Sequence, residues 1–154
     1  MLKLTKKADY GLIALKHLAN AGDGNSASAK EIADAYRLPL PLLAKVLQRL
    51  TKSGLLRSLP GTNGGYMLSR DPRRITALEV IRAIDGPVLL TSCFTAHNDC
   101  DQSDLCTVRE PLRKVHGAIL QLLATVTISD ISKDENPEPG HGRQFEPAPS
   151  LLVL

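Results

Sequence analysis

The chain has 154 residues, 43% of them hydrophobic and 23% charged, with a formal net charge of +3. That length supports one domain with a sizeable core, or one domain with an attached segment. No apolar run approaches the ~20 residues of a membrane-spanning helix, and three cysteines, an odd number, fit a closed disulfide framework poorly. The small net charge hides an asymmetry. Residues 1–86 hold fourteen Lys and Arg against seven Asp and Glu, a net of +7, whereas residues 87–154 are net −4. A basic N-terminal part points to a polyanionic partner, although an unevenly solvated surface would carry the same signature.

Leu4, Ala8, Leu12, Leu15 and Leu18 recur at helical spacing among lysines, which predicts a first helix over about residues 4–20 rather than a secretory signal. The expected location is the cytoplasm, where disulfides rarely persist. A loop rich in turn formers, NAGDGNSAS, follows. Ser28 to Glu31, "SAKE", is a capping box opening a short helix that buries Ile32, Ala33 and Tyr36. Pro39 and Pro41 cannot continue that helix but are tolerated in the first turn of another. The next helix buries Leu43, Val46, Leu47 and Leu50 and stops at Gly54, a left-handed terminator. Two helices with so tight a break form a helix-turn-helix.

Residues 55–59, "LLRSL", read as a strand, "PGTNGG" as a turn and residues 66–69, "YMLS", as the returning strand. A hairpin directly after a helix-turn-helix predicts a winged helix: a mainly α fold with a small β-hairpin, whose second helix enters the major groove of double-stranded DNA while the wing follows the flanking backbone. Lys45, Gln48, Arg49 and Lys52 are the expected DNA contacts on that helix, and Arg57 on the wing, with Arg70, Arg73 and Arg74 nearby. Mere solvation of an ordinary α/β surface is the lesser alternative for these residues.

Thr76 to Glu79, "TALE", is a second capping box, and its helix closes at "DGP", residues 85–87. Further on, Val108, Leu112, Val115, Ile119, Leu122, Leu123 and Val126 predict one long helix with an apolar stripe. Little of the chain remains to cover that stripe, so a second copy is the expected cover, giving a homodimer that presents two recognition helices to a palindromic site. Packing back onto the first helix is the competing cover. The expected domains are 1–74 for DNA binding, 75–132 for the cysteine segment and dimerisation, and 133–154 as a disordered tail rich in Pro, Gly and charge.

All three cysteines lie in "SCFTAHNDCDQSDLC", as Cys93, Cys100 and Cys106 at C-x₆-C-x₅-C spacing. Structural zinc sites use close C-x₂₋₄-C pairs and four ligands, which this segment does not offer. Spread thiolates suit the larger iron–sulfur cluster, with a fourth ligand from elsewhere or from His97 in the loop. Three incidental thiols remain the alternative. No Gly-rich phosphate loop, Ser/His/Asp set or paired carboxylates can be named, so the chain is not expected to be an enzyme.

Across residues 1–132 the sequence resembles the iron–sulfur-sensing winged-helix regulators of the IscR/NsrR type, the "Rrf-two" family. The resemblance rests on "LTKKADYGLIALKHLA", on Gly64, Gly65 and Tyr66 in the wing, on "L-EVI-AIDGP" over residues 78–87, and on the cysteine loop, all in order. It implies a DNA-binding homodimer with a [4Fe-4S] or [2Fe-2S] cluster that reports cluster status, oxygen or nitric oxide. It also implies Cys93, Cys100 and Cys106 as thiolate ligands. In the family's nitric-oxide sensors an aspartate early in the first helix completes the site from the opposite subunit, and Asp9 holds that position. Cluster-assembly regulators carry a histidine three residues after the last cysteine, where this chain has Arg109, which stays protonated and does not serve as an ordinary ligand. Asp9 is thus the expected fourth ligand, with His97 behind it. Pro60 stands where many members carry a wing-tip Arg or Lys, leaving Arg57 to serve from the strand.

Overall fold

The structure is a computed structural model that describes residues 3–62, 64–95 and 100–133. His97 and residues 134–154 of the expected tail lie outside the described residues. Helix α1 spans Lys6–Asn20, beginning two residues later than the apolar spacing predicts because Thr5 caps it, its hydroxyl accepting from the Ala8 N–H at 3.2 Å. The same hydroxyl donates to Asp85 Oδ1 at 2.6 Å, tying the start of α1 to a distant helix end.

Helix α2, Ala29–Tyr36, opens with the predicted capping box: the Ser28 hydroxyl accepts from the Glu31 N–H and the Glu31 carboxylate accepts from the Ser28 N–H. The Ser28 N–H first, and then the Ser28 hydroxyl beside it, hold the Glu31 carboxyl below its ordinary pKa. The helix ends because Arg37 takes a left-handed conformation (φ 53°), and the Leu38 N–H reaches back to the Ala33 carbonyl. Helix α3, Leu40–Lys52, starts from Pro39 without a side-chain cap and ends before Gly54, whose φ of 80° lets the Leu55 N–H close on the Leu50 carbonyl. Tyr36, expected inside, is largely exposed and packs edge-on against His17.

Strands β1, Leu56–Leu59, and β2, Gly65–Leu68, form the antiparallel wing in the register Leu56↔Leu68 to Leu59↔Gly65. Tyr66 also bridges Ala27, through reciprocal N–H···O bonds of 3.0 and 2.8 Å. After a 3-10 turn at Pro72–Arg74 comes α4, Ala77–Asp85, again with its capping box, Thr76 and Glu79. The core joins α1, α3 and α4: Leu15, Leu18, Leu43, Leu47, Leu50 and Val80 are each at most 1% exposed. Burying a side chain of this size contributes about 1.5–3 kcal/mol. At the junction, a Cβ on Gly11 would strike Ile84 Cδ1 and meet Val80 and Val46 at 3.5 and 3.6 Å, so glycine permits this close approach of three helices.

Helix α5, Arg109–Thr125, has no buried residue in 17. The predicted long helix forms, and only the last residue of its apolar stripe falls beyond its end. Val126 leaves the helix for extended backbone, because its carbonyl accepts from the Ala77 N–H at 2.8 Å and the Ile128 N–H donates to Ile75 at 2.9 Å. The chain then turns into α6, Ile128–Lys133, whose fully buried Ile128 seats it on the core beside α1. Packing back onto the first helix is therefore done by α6, while α5 keeps an uncovered seam. The fold is a winged helix-turn-helix followed by a long helix, as the sequence predicts.

Candidate functional site: a basic helix face and a cysteine loop

On α3 the period of 3.6 residues separates two faces. Leu43, Val46, Leu47 and Leu50 face the core, while Lys45, Gln48, Arg49 and Lys52, at i, i+3, i+4 and i+7, form an exposed row. Arg49 differs from the others in the row. Its Nη1 donates to the Ile84 carbonyl at 2.6 Å, satisfying one of the carbonyls that the last turn of α4 leaves open. Its charge remains at the surface, but its guanidinium is held by the fold. Arg57 extends from β1 opposite Met67 and is exposed, as predicted for a wing cation. Arg70 and Arg73 are committed elsewhere. Arg70 pairs with Glu79, and Arg73 pairs with Asp71 at 2.8 Å, its side-chain and backbone N–H bonds drawing the Asp71 carboxyl down to about 2.

The three cysteines occupy the connection between α4 and α5. Cys93 sits in a 3-10 turn at Ser92–Phe94, Cys100 begins the second half of the loop, and Cys106 lies three residues before α5. All three are free thiols and all are half-buried. Within one chain they do not converge: among the described residues no three His, Cys, Asp or Glu side chains come together as a metal-ion set. Asp9 lies in the first turn of α1, exposed, and among the described residues its carboxylate has no hydrogen-bond or ion-pair partner. Arg109 opens α5.

Two features of the loop escape the sequence pattern. Phe94, next to Cys93, stacks at 5.0 Å on His116 of α5, so the start of the loop is fastened to the long helix. Thr91 Oγ1, just before the first cysteine, is buried without a partner among the described residues, an arrangement that costs about 1–3 kcal/mol. As a donor set, three unpaired thiols with a free carboxylate suit iron: soft thiolates hold iron–sulfur clusters and a carboxylate can complete the set. The chemistry of these residues fits such a group, although among the described residues one chain does not bring them together.

On α5, Val108, Val115 and Leu122 recur every seven residues and are 56%, 50% and 65% exposed. Leu112 and Ile119 interleave with them and are half-buried. This is the 3-4 alternation of a helix-pairing seam. Beside it, Leu12, Ile81, Val88, Ile119 and Leu123 line an apolar hollow of about 550 Å³ between α1, α4 and α5. Among the described residues no helix is long and apolar enough to cross a membrane.

Comparison with known proteins agrees with this geometry. Residues 4–134 match the family model Rrf2, described as an iron-dependent transcriptional regulator. The HTH-type transcriptional regulator NsrR of Shouchella clausii is 32% identical over 136 residues, covering 88% of this chain and 91% of that protein. Among solved structures, CymR, the global cysteine regulator of B. subtilis, superposes with a TM-score of 0.74 at 29% identity, over 88% of this chain and 100% of that one. IscR of T. potens superposes at 0.68 with 30% identity, over 88% and 89%. A basic helix-turn-helix with a wing, a three-cysteine loop and a match over most of the chain lead to one conclusion: this protein belongs to the Rrf2 family of transcriptional regulators.

Proposed function

We propose that the protein is a cytoplasmic, homodimeric regulator that binds double-stranded DNA and senses cluster status, oxygen or nitric oxide through an iron–sulfur cluster, [4Fe-4S] or [2Fe-2S], controlling iron–sulfur cluster assembly genes. Residues 1–74 would bind DNA, and residues 75–132 would carry the cluster loop and the dimer seam. The observation that carries this reading is the confinement of every thiol, unpaired and half-buried, to the loop between α4 and α5. Cys93, Cys100 and Cys106 would hold the group, with Asp9 of the partner subunit as the fourth donor. When bound, the group supplies iron that reacts with oxygen or nitric oxide. The uncovered α5 seam supports a second copy, and the unpartnered Asp9 supports donation to a group outside its own chain. Asp9 also favours a second reading, a nitric-oxide-responsive repressor, because Arg109 stands where cluster-assembly regulators carry histidine. A constitutive DNA-binding protein with a structural metal is the remaining alternative; it predicts equal DNA affinity before and after iron removal.

Mixed dimers test the ligand set. Wild-type dimers purified anaerobically should contain iron and sulfide and bind DNA differently after chelation. Pairing an Asp9→Ala subunit with one lacking all three cysteines should restore one intact site, giving half the wild-type iron and sulfide. Mixed dimers empty of iron, beside loaded wild-type dimers, would rule out ligation across the interface and assign Asp9 to the thiols of its own chain, whereas Asp9→Ala homodimers that stay fully loaded would move the fourth ligand to His97.

DNA binding has its own signature. Wild-type affinity should fall steeply with salt, by a slope of about −0.9 per phosphate neutralised. Lys52→Ala should weaken all sequences alike and make that slope shallower by about one, whereas Gln48→Ala should alter base preference and leave the slope unchanged. Salt-independent binding by the wild type would contradict the winged-helix role.

A further inference from the structure

The row on α3 does not account for every cation on this side of the molecule. A hollow of about 250 Å³ opens between α1 and α3, lined by Lys7, Leu42, Lys45, Val46, Arg49 and Ile84. Its three charged side chains are all cations, and they come from two helices. All three are exposed, and among the described residues none of them forms an ion pair. Like charges gathered around one concavity repel one another, and the apolar floor of Leu42, Val46 and Ile84 strengthens the field they produce. The arrangement favours an anion. The bond from Arg49 Nη1 to the Ile84 carbonyl fixes the guanidinium at the floor, so little side-chain freedom is lost when the anion arrives.

We propose that this hollow receives one backbone phosphate of DNA, with Lys7 and Lys45 as its two arms and Arg49 as its fixed base. Lys7 is then a DNA contact supplied by α1, the helix that carries Asp9, and not by the helix-turn-helix. The proposal rests on the DNA-binding reading above. Its ligand chemistry is a singly charged phosphodiester, and a DNA backbone suits the site because the hollow is continuous with the exposed row Lys45, Gln48 and Lys52. A free inorganic phosphate is the other source of the same chemistry.

The experiment measures binding of the full-length dimer to a short duplex of arbitrary sequence across a salt series, for wild type, Lys7→Ala and Lys114→Ala. Lys114 is exposed on α5 and is not among the residues that line the hollow, so its alanine variant removes the same charge outside it. Lys7→Ala should lose affinity severalfold and give a slope shallower by about 0.9, the value of one phosphate contact, while Lys114→Ala should match the wild type. Inorganic phosphate alone, titrated by calorimetry, should show no saturable site in the low millimolar range. If Lys7→Ala binds DNA with the wild-type slope, the proposal is wrong; if it also abolishes saturable phosphate binding seen in the wild type, the hollow is a free-anion site instead. Should the wild type itself bind no duplex, the DNA-binding reading has failed, an outcome separate from failure at Lys7.

Discussion

Cys93→Ala, Cys100→Ala and Cys106→Ala should each yield anaerobically purified protein stripped of the iron, sulfide and brown colour expected of the wild type. The loop holds one thiol at its entry, one in its second half and one at its exit into α5, and the chain has no fourth cysteine to substitute. A cluster lacking one thiolate of three would be held by two sulfurs and one carboxylate, a set exposed to exchange with solvent. The winged helix should survive all three substitutions, because the thiols lie outside the buried core. Melting of each variant after iron removal should therefore match that of the metal-free wild type. Full iron and sulfide in any one variant would remove that cysteine from the ligand set.

Gly65→Ala should be strongly destabilising, although it adds only one methyl group to the wing. A Cβ there would lie 2.6 Å from the Ala27 carbonyl oxygen and 2.7 Å from its carbon. Both are backbone atoms held by the Ala27–Tyr66 bridge, so neither can rotate away as a side chain would. The bridge must open or β2 must shift, which places the cost at about 2–4 kcal/mol, a large share of the 5–15 kcal/mol typical of a folded domain. Gly117→Ala provides the contrast. Nothing lies within 4 Å of a Cβ there, and Gly117 sits mid-helix on the side of α5 away from the Val115–Leu122 seam. That change should stabilise by about 0.5–1 kcal/mol. Chemical denaturation of the two variants decides the point; equal midpoints would mean that the wing tolerates the shift.

What could be read from the sequence divides by distance along the chain. The capping boxes at Ser28–Glu31 and Thr76–Glu79 span three residues each, and both form as predicted. The buried face of α3 follows from periodicity alone. Val126 continues an apolar stripe, yet it leaves the helix because its carbonyl is claimed by Ala77, a partner that no local pattern reveals. Arg49 reads as a surface cation, and its bond to Ile84 depends on how α4 crosses α3. Lys7 carries no pattern of its own in the sequence, and only the fold sets it beside Lys45. The cysteine loop shows its thiols by composition, but among the described residues one chain does not gather them into a metal-ion set. The pairing of Gly64 and Gly65 marks the wing as a family pattern, and its physical reason is the close approach of Gly64 to the Leu59 carbonyl and of Gly65 to Ala27.

If Asp9 serves the cluster and Lys7 the DNA, as proposed above, helix α1 would have a double occupancy with a thermodynamic consequence. Asp9 and Lys7 lie two residues apart on one 15-residue helix, which is anchored at Thr5 to the end of α4 and pressed side-chain-free at Gly11 against α3 and α4. A rigid rod that offers one group to metal and another to DNA cannot answer to the two independently. Linkage is reciprocal: whatever factor a loaded cluster adds to operator affinity, the operator adds to the protein's hold on the cluster. Molecules seated on promoters and molecules free in solution would then be different sensors, with different thresholds for losing iron. The genes under control would thereby help to set the sensitivity of their own regulator.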